Sequence, residues 1–491
     1  MKIYFNICKY QYNHQVFVIG PTSKPILMNL LKTLVITATL IISCNHLFAH
    51  TKEDTAGTEK KWYIKGSLPV SETQSLAIWE HKKDEYGIVM LNNKGVIEWE
   101  MPFEGCVFGI SKYKDHYLVF HAKKGYWDDQ YGLTRAIKQI NAATIDIKSQ
   151  QIIDDKALYA GKYVNADILN DASGNFSQLL LHNLYGYYDT KGFTLITFNA
   201  DGSVANKEIP SIAPEQKYIA SSAGKDGSFF VSYLQNWSSL VVEKFSHEGA
   251  LISKLESPLT MRKDPDYRPV MRVDPGTNNS IAITLRLVNK DLDYVFSHFL
   301  FNFDNNKIDT VNEAPLTKKT TPYHFEKYKE LQPIDILFTN DKVIVVREPR
   351  YSESSINNKD VSTYNSGSAV ISVFDKQMKL QREIVIRKLT STYAYINIGL
   401  NCHIIKDKLF ILSGENADGG FDNFSYKVNL NDGSFGKKKI GTNKPAHGTS
   451  ISTLSTIWFN NELIMTHLSI PISFGIRNYR SVLEKVGFDA L

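Results

Sequence analysis

Aromatic residues and carboxylates recur together in short polar segments of this chain, between runs of β-branched and aromatic residues. Tyrosine and tryptophan rings offer a flat apolar face with a polar tip, and each carboxylate accepts hydrogen bonds at two oxygens. That combination suits a sugar, whose C–H faces stack on rings while its hydroxyls need acceptors, and it suits a peptide. The alternative is that the rings only pack the segments against one another. We predict a site for a glycan or protein ligand at Tyr126, Trp127, Asp128, Asp129, Tyr187, Tyr188, Asp189 and Trp237.

One acidic segment carries the oxygen ligands that Ca²⁺ prefers. Glu415, Asp418 and Asp422 follow one another in a stretch that also contains two adjacent glycines. The segment lacks the twelve-residue pattern of an EF-hand loop, which places its ligands at fixed positions. The prediction is therefore a protein without a cofactor, and Ca²⁺ at this segment is the alternative.

No residue pattern identifies a catalytic group. The sequence contains no G-x-S-x-G nucleophile elbow. Paired carboxylates for glycoside hydrolysis stay open, because their separation is spatial and cannot be read from the sequence. Four histidines lie in or beside predicted strands without the H-x-x-x-H spacing of a metal site. Each is expected to be a buried core residue, and a ring of histidines around a transition metal is the alternative: His121, His182, His403 and His467.

The elements that must position these segments are indicated by two kinds of turn that alternate along the chain. Turns rich in Asn, Asp and Gly between apolar, β-rich runs are the strongest local signal of a β-hairpin. One kind lies at 92–95, 141–144, 199–202, 246–249, 304–306, 375–377 and 431–433. The other kind lies at 114–115, 173–175, 225–227, 274–276, 340–341, 406–407 and 460–461. Two hairpins per unit make four strands, and seven such units predict a closed radial array.

The repeat therefore predicts an all-β, seven-bladed β-propeller, with eight blades as the alternative. Six blades are predicted over 106–154, 163–210, 218–258, 270–315, 333–386 and 394–441. The seventh would be shared between N-terminal strands at 86–99 and a C-terminal hairpin at 455–465. For the apolar run 75–79 two alternatives stay open: a fifth strand, or half of an eighth blade.

Residues 62–475 resemble the seven-bladed β-propellers as an architecture, although they match none of the repeat signatures of the WD40, kelch or sialidase classes. We name the strands of each blade a to d. In such a fold the b–c and d–a connections share one face, here called the b–c face. The short a–b and c–d turns share the other, here called the c–d face. The b–c connections of this chain are the longer and more varied set, which predicts the ligand site on the b–c face.

The N-terminal region predicts export. Residues 1–49 are assigned to a leader with a signal segment, 50–61 to a flexible tether and 62–491 to a single propeller domain. Lys32 precedes an apolar run at 34–42 that is too short to span a bilayer. Ile41, Ile42, Ser43 and Cys44 resemble the lipobox of exported bacterial lipoproteins. The resemblance implies lipidation at Cys44 and a protein anchored in the bacterial cell envelope, at the outer membrane or in the periplasm. Cleavage after Ala49 is the alternative.

Charge and cysteine content limit the classes of partner that the sequence predicts. The formal net charge of +5 is mild for 491 residues, and the Lys and Arg residues are scattered, so no nucleic-acid partner is predicted. Membrane attachment is expected through the lipid alone, and the chain is expected to be a monomer. Cys106 and Cys402 fall in predicted innermost strands of blades that are not neighbours, so no disulfide is expected between them. Two functions remain: an envelope-tethered binding or scaffold module, which is favoured, and an exported hydrolase or lyase acting on polysaccharide.

Overall fold

A computed structural model divides the chain into two units, Met1–Ala56 and Gly57–Leu491, and all described residues lie in the second. They are 63–82, 85–128, 133–160, 164–170, 177–185, 189–199, 203–209, 216–224, 226–259, 269–277, 279–288, 294–313, 331–354, 362–392, 400–405, 407–417, 420–440, 449–451, 456–459, 462–469, 472–473, 476–477 and 480–487. At the tips of several strands only the backbone is described. Every described element is a β-strand, and none of the described segments forms a helix long and apolar enough to cross a membrane.

The strands form eight antiparallel blades, each built from neighbouring strands of the chain, and one separate two-stranded hairpin. Blade 1 contains β1 (Tyr63–Pro69), β2 (Gln74–Lys82), β3 (Glu85–Asn92) and β4 (Ile97–Glu104). Blade 2 contains β5 (Cys106–Tyr113), β6 (His116–Asp128), β7 (Leu133–Asp146) and β8 (Gln151–Ala160). Blade 3 contains β9 (Val164–Asn170), β10 (Ser177–Tyr185), β11 (Asp189–Phe198) and β12 (Val204–Ile209). Blade 4 contains β13 (Gln216–Ala223), β14 (Phe229–Gln235), β15 (Ser239–Phe245) and β16 (Leu251–Pro258).

Blades 5 to 7 follow the same plan, with two added strands in blade 6, whereas blade 8 is three strands wide over the described residues. Blade 5 contains β17 (Val270–Val273), β18 (Ser280–Val288), β19 (Tyr294–Asn302) and β20 (Lys307–Asn312). Blade 6 contains β21 (Leu331–Phe338), β22 (Lys342–Ser354), β24 (Ala369–Asp375) and β25 (Leu380–Ile386), and adds β23 (Ser362–Ser366) and β26 (Thr390–Thr392). Blade 7 contains β27 (Leu400–Ile405), β28 (Lys408–Ala417), β29 (Gly420–Asn429) and β30 (Phe435–Ile440). Blade 8 contains β31 (Thr449–Ile451), β32 (Ile457–Trp458), β33 (Glu462–Ser469) and β36 (Arg480–Gly487), with a small hairpin of β34 (Ile472–Ser473) and β35 (Ile476–Arg477).

The protein is thus a β-propeller, as predicted, with the eight blades of the stated alternative. The first strands of successive blades contact one another in series, from β1 through β5, β9, β13, β17 and β21 to β27. They form the inner wall of the ring, whereas outer strands such as β8 and β16 are largely exposed. At least one apolar core lies between each pair of adjacent blades, so the ring is held together by eight face-to-face contacts.

The sequence predicted one blade shared between the two ends of the chain, and this prediction is wrong. The N-terminal strands β3 and β4 share one sheet with β1 and β2, and the run at 75–79 lies inside β2, one of the four strands of this blade. The turn between β1 and β2 did not match the predicted turn pattern because it contains no Gly, Asn or Asp. Its bend is made by hydrogen bonds from the Val70 amide to the Gln74 carbonyl, 2.9 Å, and from the Thr73 amide to Ser71 Oγ, 3.2 Å.

The c–d turn predicted at 141–144 is also misplaced, because those residues lie inside β7. Asn141 is buried there, and its amide donates to Asp155 across the sheet, 3.0 Å. The turn follows Asp146 instead, whose Oδ1 accepts from the Lys148 amide and whose Oδ2 accepts from Ser149 Oγ, each 2.9 Å. Asparagine and aspartate support turns by such side-chain bonds, and the sequence does not show which of the two is used.

No described strand of blade 8 pairs with blade 1, so the ring closes through side chains. Ile457, Phe459 and Ile464 of blade 8 pack into one buried cluster with Ile64 and Trp79 of blade 1. On its other side, blade 8 packs against blade 7 through a second buried cluster. We call the contact between blades 8 and 1 the seam.

The two cysteines lie where the sequence placed them. Cys106 begins β5 and Cys402 lies in β27, both first strands of their blades. No disulfide joins them. Burial raises the pKa of the Cys402 thiol well above its usual value, so this sulfur behaves as a small apolar group.

Candidate functional site

The b–c face is distinguished by hairpins that extend beyond the blades. In blade 2, β5 pairs with β6 only as far as Ala122, whereas β7 continues to pair with it to Asp128, opposite Leu133. The six residues of β6 beyond Ala122 reach roughly 20 Å at the usual rise of a strand. This hairpin therefore stands above the rim of the ring.

Blades 6 and 7 carry further extensions on the same face. In blade 6, β21 pairs with β22 to Pro349, and β22 then continues to Ser354 in a separate sheet with β23 and β26. In blade 7, β27 pairs with β28 to Ser413, whereas β28 and β29 stay paired to Ala417. Blade 4, in contrast, ends its b–c hairpin in a tight turn at 236–238. The b–c face is thus uneven around the ring.

The c–d face is formed by short turns whose side chains are engaged within the fold. Asn92 Oδ1 accepts from the amides of Lys94 and Val96, 3.0 and 3.1 Å. Lys376 reaches across to a neighbouring blade, where its ammonium contacts Asp274 at 2.5 Å. Regular turns with satisfied polar groups leave this face with less variation than the b–c face.

The structure describes only part of the predicted ligand site. Tyr126, Trp127 and Asp128 lie on the extension of β6, opposite Arg135, Thr134 and Leu133, and only their backbone is described. Asp189 begins β11 and pairs with Tyr185 at the tip of the b–c hairpin of blade 3, again as backbone. These four residues are therefore on the b–c face, as predicted. Outside the described residues lie Asp129, Tyr187 and Tyr188.

Trp237 is the one predicted ligand residue whose side chain is described. It lies in the b–c turn of blade 4 with a φ of 56°, next to Asn236 at 49°. Its half-buried ring packs against the apolar core between blades 4 and 5. This contact matches the alternative stated above, in which a loop ring supports the fold, and its role in binding stays a prediction.

Two of the three candidate calcium ligands are engaged in ion pairs. Glu415 is buried, and its Oε1 accepts from the Tyr426 hydroxyl while its Oε2 contacts the Lys437 ammonium at 2.7 Å. Asp422 contacts Lys439 at 2.7 Å. Asp418 lies outside the described residues. Over the part of the chain that is described, no group of three His, Cys, Asp or Glu side chains is placed to hold a metal.

A fully buried ion cluster supports the extension of blade 6. Glu348 and Lys388 form an ion pair whose two side chains have no solvent exposure. The second oxygen of Glu348 contacts Arg350 at 2.7 Å, and Lys388 donates to Ser366 in β23 at 3.0 Å. Burial raises the pKa of Glu348, but Lys388 and Arg350 outweigh it and hold that pKa below its usual value. The cluster joins the blade to the sheet that rises from it.

A second buried network joins blades 5 and 6. His298 donates from Nε2 to Glu313 Oε1, 2.9 Å, and accepts the Thr284 hydroxyl at Nδ1, 2.9 Å. The other oxygen of Glu313 accepts from Arg347, which also donates to Glu383 at 3.1 Å. Burial raises the pKa of Glu313, but Arg347 and His298 lower it to about 2. Burial also lowers the pKa of His298, so the imidazole stays neutral.

This network predicts a pH dependence of stability. The pKa of Glu313 is about 2 in the fold and 4.5 when unperturbed, so the unfolded chain binds more protons between these values. Its stabilisation is complete above about pH 5, and about 3 kcal/mol is lost as the pH falls through about 2. The difference in unfolding free energy between wild type and Glu313→Gln should therefore shrink from pH 7 to pH 3 in urea titrations. With exposed Glu104→Gln as control, a wild-type advantage that is constant over this range would contradict the assignment.

A third cluster lies in the inner wall and was not predicted as a site. Asp167, in the middle of β9, accepts at Oδ2 from His182 Nε2 at 2.9 Å, from Ser221 Oγ at 2.5 Å and from the Tyr218 hydroxyl. The imidazole comes from the adjacent strand of blade 3, and both hydroxyls come from β13 of blade 4. Burial raises the pKa of Asp167, but its hydrogen-bond partners lower it below its usual value. The signal available in the sequence was an aspartate between Ala166 and Ile168 in an inner strand.

Of the other histidines named in the sequence analysis, His121 is a buried core residue, as expected, and His403 is half-buried. His121 is buried, and its Nε2 donates to Asp155 at 3.1 Å. His403 stacks on Trp458 with ring centres 4.7 Å apart, and burial lowers its pKa. For His467 only the backbone, in β33, is described.

Comparison with known proteins relates the chain to others by fold. No protein-family model and no curated protein matches the sequence. A prolyl endopeptidase structure is similar over 83% of this chain and 54% of its own, with 9% identity and a TM-score of 0.44. The polysaccharide lyase Uly1 is similar over 87% and 100%, with 11% identity and a TM-score of 0.40. The propeller domain of the Trilobed protease from Pyrococcus furiosus is similar over 88% and 96%, with 8% identity and a TM-score of 0.39.

This chain spans about half the length of the prolyl endopeptidase, 54% of it. At such identities and TM-scores the likenesses say nothing about activity. The fold rests on the pairing of the strands described above: the protein is an eight-bladed β-propeller.

Proposed function

We propose that this protein is a binding or scaffold module that takes a glycan or a protein partner on its b–c face. The observation that carries the proposal is the set of b–c hairpins in blades 2, 6 and 7 that rise above the rim of the ring. A uniform scaffold that bears unequal extensions on one face is the arrangement in which propellers and repeat proteins present binding surfaces. Attachment to the cell envelope through Cys44 is part of the proposal on the sequence alone.

The buried glutamates support a binding module over an enzyme. Glu313, Glu348 and Glu415 each have both carboxylate oxygens in contact with a donor or a cation of the fold. Such groups stabilise contacts between strands and blades, and both oxygens of each of the three are already engaged by the fold. The polysaccharide hydrolase or lyase therefore ranks second.

The experiment that tests this proposal uses a substitution on the extension of β6. Replacing an aromatic anchor of a desolvated binding site by alanine typically costs about 2 kcal/mol, or roughly thirtyfold in affinity. Trp127→Ala should therefore reduce retention of the protein in affinity gels that each contain one soluble polysaccharide, without lowering its melting temperature. Lys94→Ala, in an exposed turn of the c–d face, is the control and should behave as wild type.

Two outcomes would overturn the proposal. Loss of retention in Lys94→Ala with full retention in Trp127→Ala would reverse the assignment of the binding face. Release of new sugar ends from a polysaccharide of the same panel would replace the binding module by the enzyme.

A further inference from the structure

Asp167 presents a carboxylate oxygen that accepts no hydrogen bond from any described residue. All three hydrogen bonds that described residues make to its side chain end on Oδ2, and none of them ends on Oδ1. The side chain is nevertheless 36% exposed. Because β9 is an inner strand, with β5 and β13 of the neighbouring blades on either side, the exposed part of this side chain lies on the inner wall of the ring. Oδ1 is therefore an acceptor in the channel wall.

Two other charged side chains of the inner strands are paired with opposite charges. Arg272 of β17 contacts Asp335 of β21 at 3.0 Å, and Lys65 of β1 forms an ion pair with Glu80. Asp167 has no lysine or arginine partner among the described residues, and its three donors are an imidazole and two uncharged hydroxyls. The channel wall thus contains a fixed carboxylate whose complement is a cation.

We propose that Asp167 anchors a second binding site, in the channel wall between blades 3 and 4, that takes an alkylammonium group. The three donors to Oδ2 come from strands of both blades, so the carboxylate is already held in place before a ligand arrives. A charge-assisted hydrogen bond from an ammonium nitrogen is roughly twice as strong as one between neutral groups. A single open oxygen favours this ligand over a divalent metal, because Ca²⁺ requires about six to eight oxygen ligands.

The site is distinct from the one proposed above. The polysaccharide or protein partner is expected on the hairpins of the b–c face, whereas Asp167 lies in the middle of an inner strand. A negative result for Trp127→Ala and a negative result for Asp167→Asn are therefore independent, because the two experiments use different ligands.

The experiment uses a matched pair of small probes. Butylammonium and butanol have the same carbon chain and differ in the charge of the terminal donor. With the mature propeller we expect saturation-transfer NMR to detect butylammonium and to show butanol bound at least about tenfold more weakly. Equal binding of the two probes, or no binding of butylammonium at millimolar concentration, would overturn the proposal. This comparison uses the wild-type protein, so it tests the proposed ammonium site even if a substituted protein fails to fold.

The fold offers a matched control for the substitution. Asp155 also accepts from a buried histidine, and its side chain is 35% exposed against 36% for Asp167, but it lies on the outer strand β8. Asp167→Asn should weaken butylammonium binding by about tenfold or more, whereas Asp155→Asn should leave it unchanged. An equal loss in both variants, or in neither, contradicts the assignment.

The source of the ammonium group is resolved with a second ligand. The tripeptide Gly-Lys-Gly with blocked ends presents a lysine side chain on a peptide. If it competes with butylammonium in wild type and not in Asp167→Asn, the site accepts the lysine of a protein segment. If butylammonium binds and the tripeptide does not, the site is restricted to small amines.

Discussion

Replacing Lys388 by methionine is expected to lower the free energy of unfolding by about 3 to 5 kcal/mol, the cost of breaking a buried ion pair by removing one partner. Glu348 and Lys388 have no side-chain exposure, so the carboxylate that remains cannot be rehydrated. Arg350 still contacts Glu348 at 2.7 Å, which places the effect toward the lower end of the range. Urea titration at neutral pH measures the change.

The matched control is an exposed pair. Lys307 contacts Asp309 at 2.8 Å with a side chain that is 53% exposed, and Lys307→Met should cost less than about 1 kcal/mol. Adding Glu348→Gln to Lys388→Met should restore part of the stability, because it removes the unpaired charge. A Lys388→Met protein no less stable than Lys307→Met would show that the buried pair does not stabilise the fold.

Removing blade 8 is expected to have the larger effect of the two. Deletion from Thr449 onward exposes the apolar face of blade 1 that now packs on Ile457 and Ile464, and the face of blade 7 that packs on Leu463 and Met465. Exposed apolar patches of this kind lead to aggregation. We expect the truncated protein to be insoluble, or to unfold at a markedly lower urea concentration than the full chain.

A single substitution tests the seam with the chain intact. Ile464 has no exposure, and Ile464→Ala should cost about 2 to 5 kcal/mol through lost burial and the cavity left behind. Val96→Ala, at a residue that is 51% exposed, is the control and should change stability by less than about 0.5 kcal/mol. If the truncated protein melted like the full chain, closure through the seam would be wrong.

The alternation of turns was sufficient to predict the blades. Six of them begin and end within a few residues of the predicted bounds, because Asn, Asp and Gly at the hairpins form side-chain bonds or adopt positive φ, as Gly95 and Gly433 do. The error in blade number came from one turn, at 70–73, which is formed by backbone hydrogen bonds and the Ser71 hydroxyl. One bend of a different chemistry was enough to turn a complete blade into half of a shared one.

The candidate sites were less accessible to sequence reasoning. Aromatic and acidic residues in long connections predicted the b–c face, and the extension of β6 carries three of them as backbone positions. The cluster at Asp167 could not be predicted, because it unites residues of blades 3 and 4 that are 51 and 54 positions apart. The pairing of Lys388 with Glu348 could not be predicted either. The Asp167 cluster and this ion pair both depend on which strand of a blade each residue occupies.

The seam has a consequence for the order in which the protein folds. Every blade is one contiguous stretch of chain, so its strand pairs close short loops and lose little chain entropy in doing so. Ile64 and Ile464, in contrast, meet across about 400 residues of sequence. Their contact closes the longest loop among the described clusters, at a cost that rises slowly with loop length, and no backbone hydrogen bonds accompany it among the described strands. We therefore expect the blades to form first and the circle to be completed last, with the final step governed by the burial of apolar side chains alone.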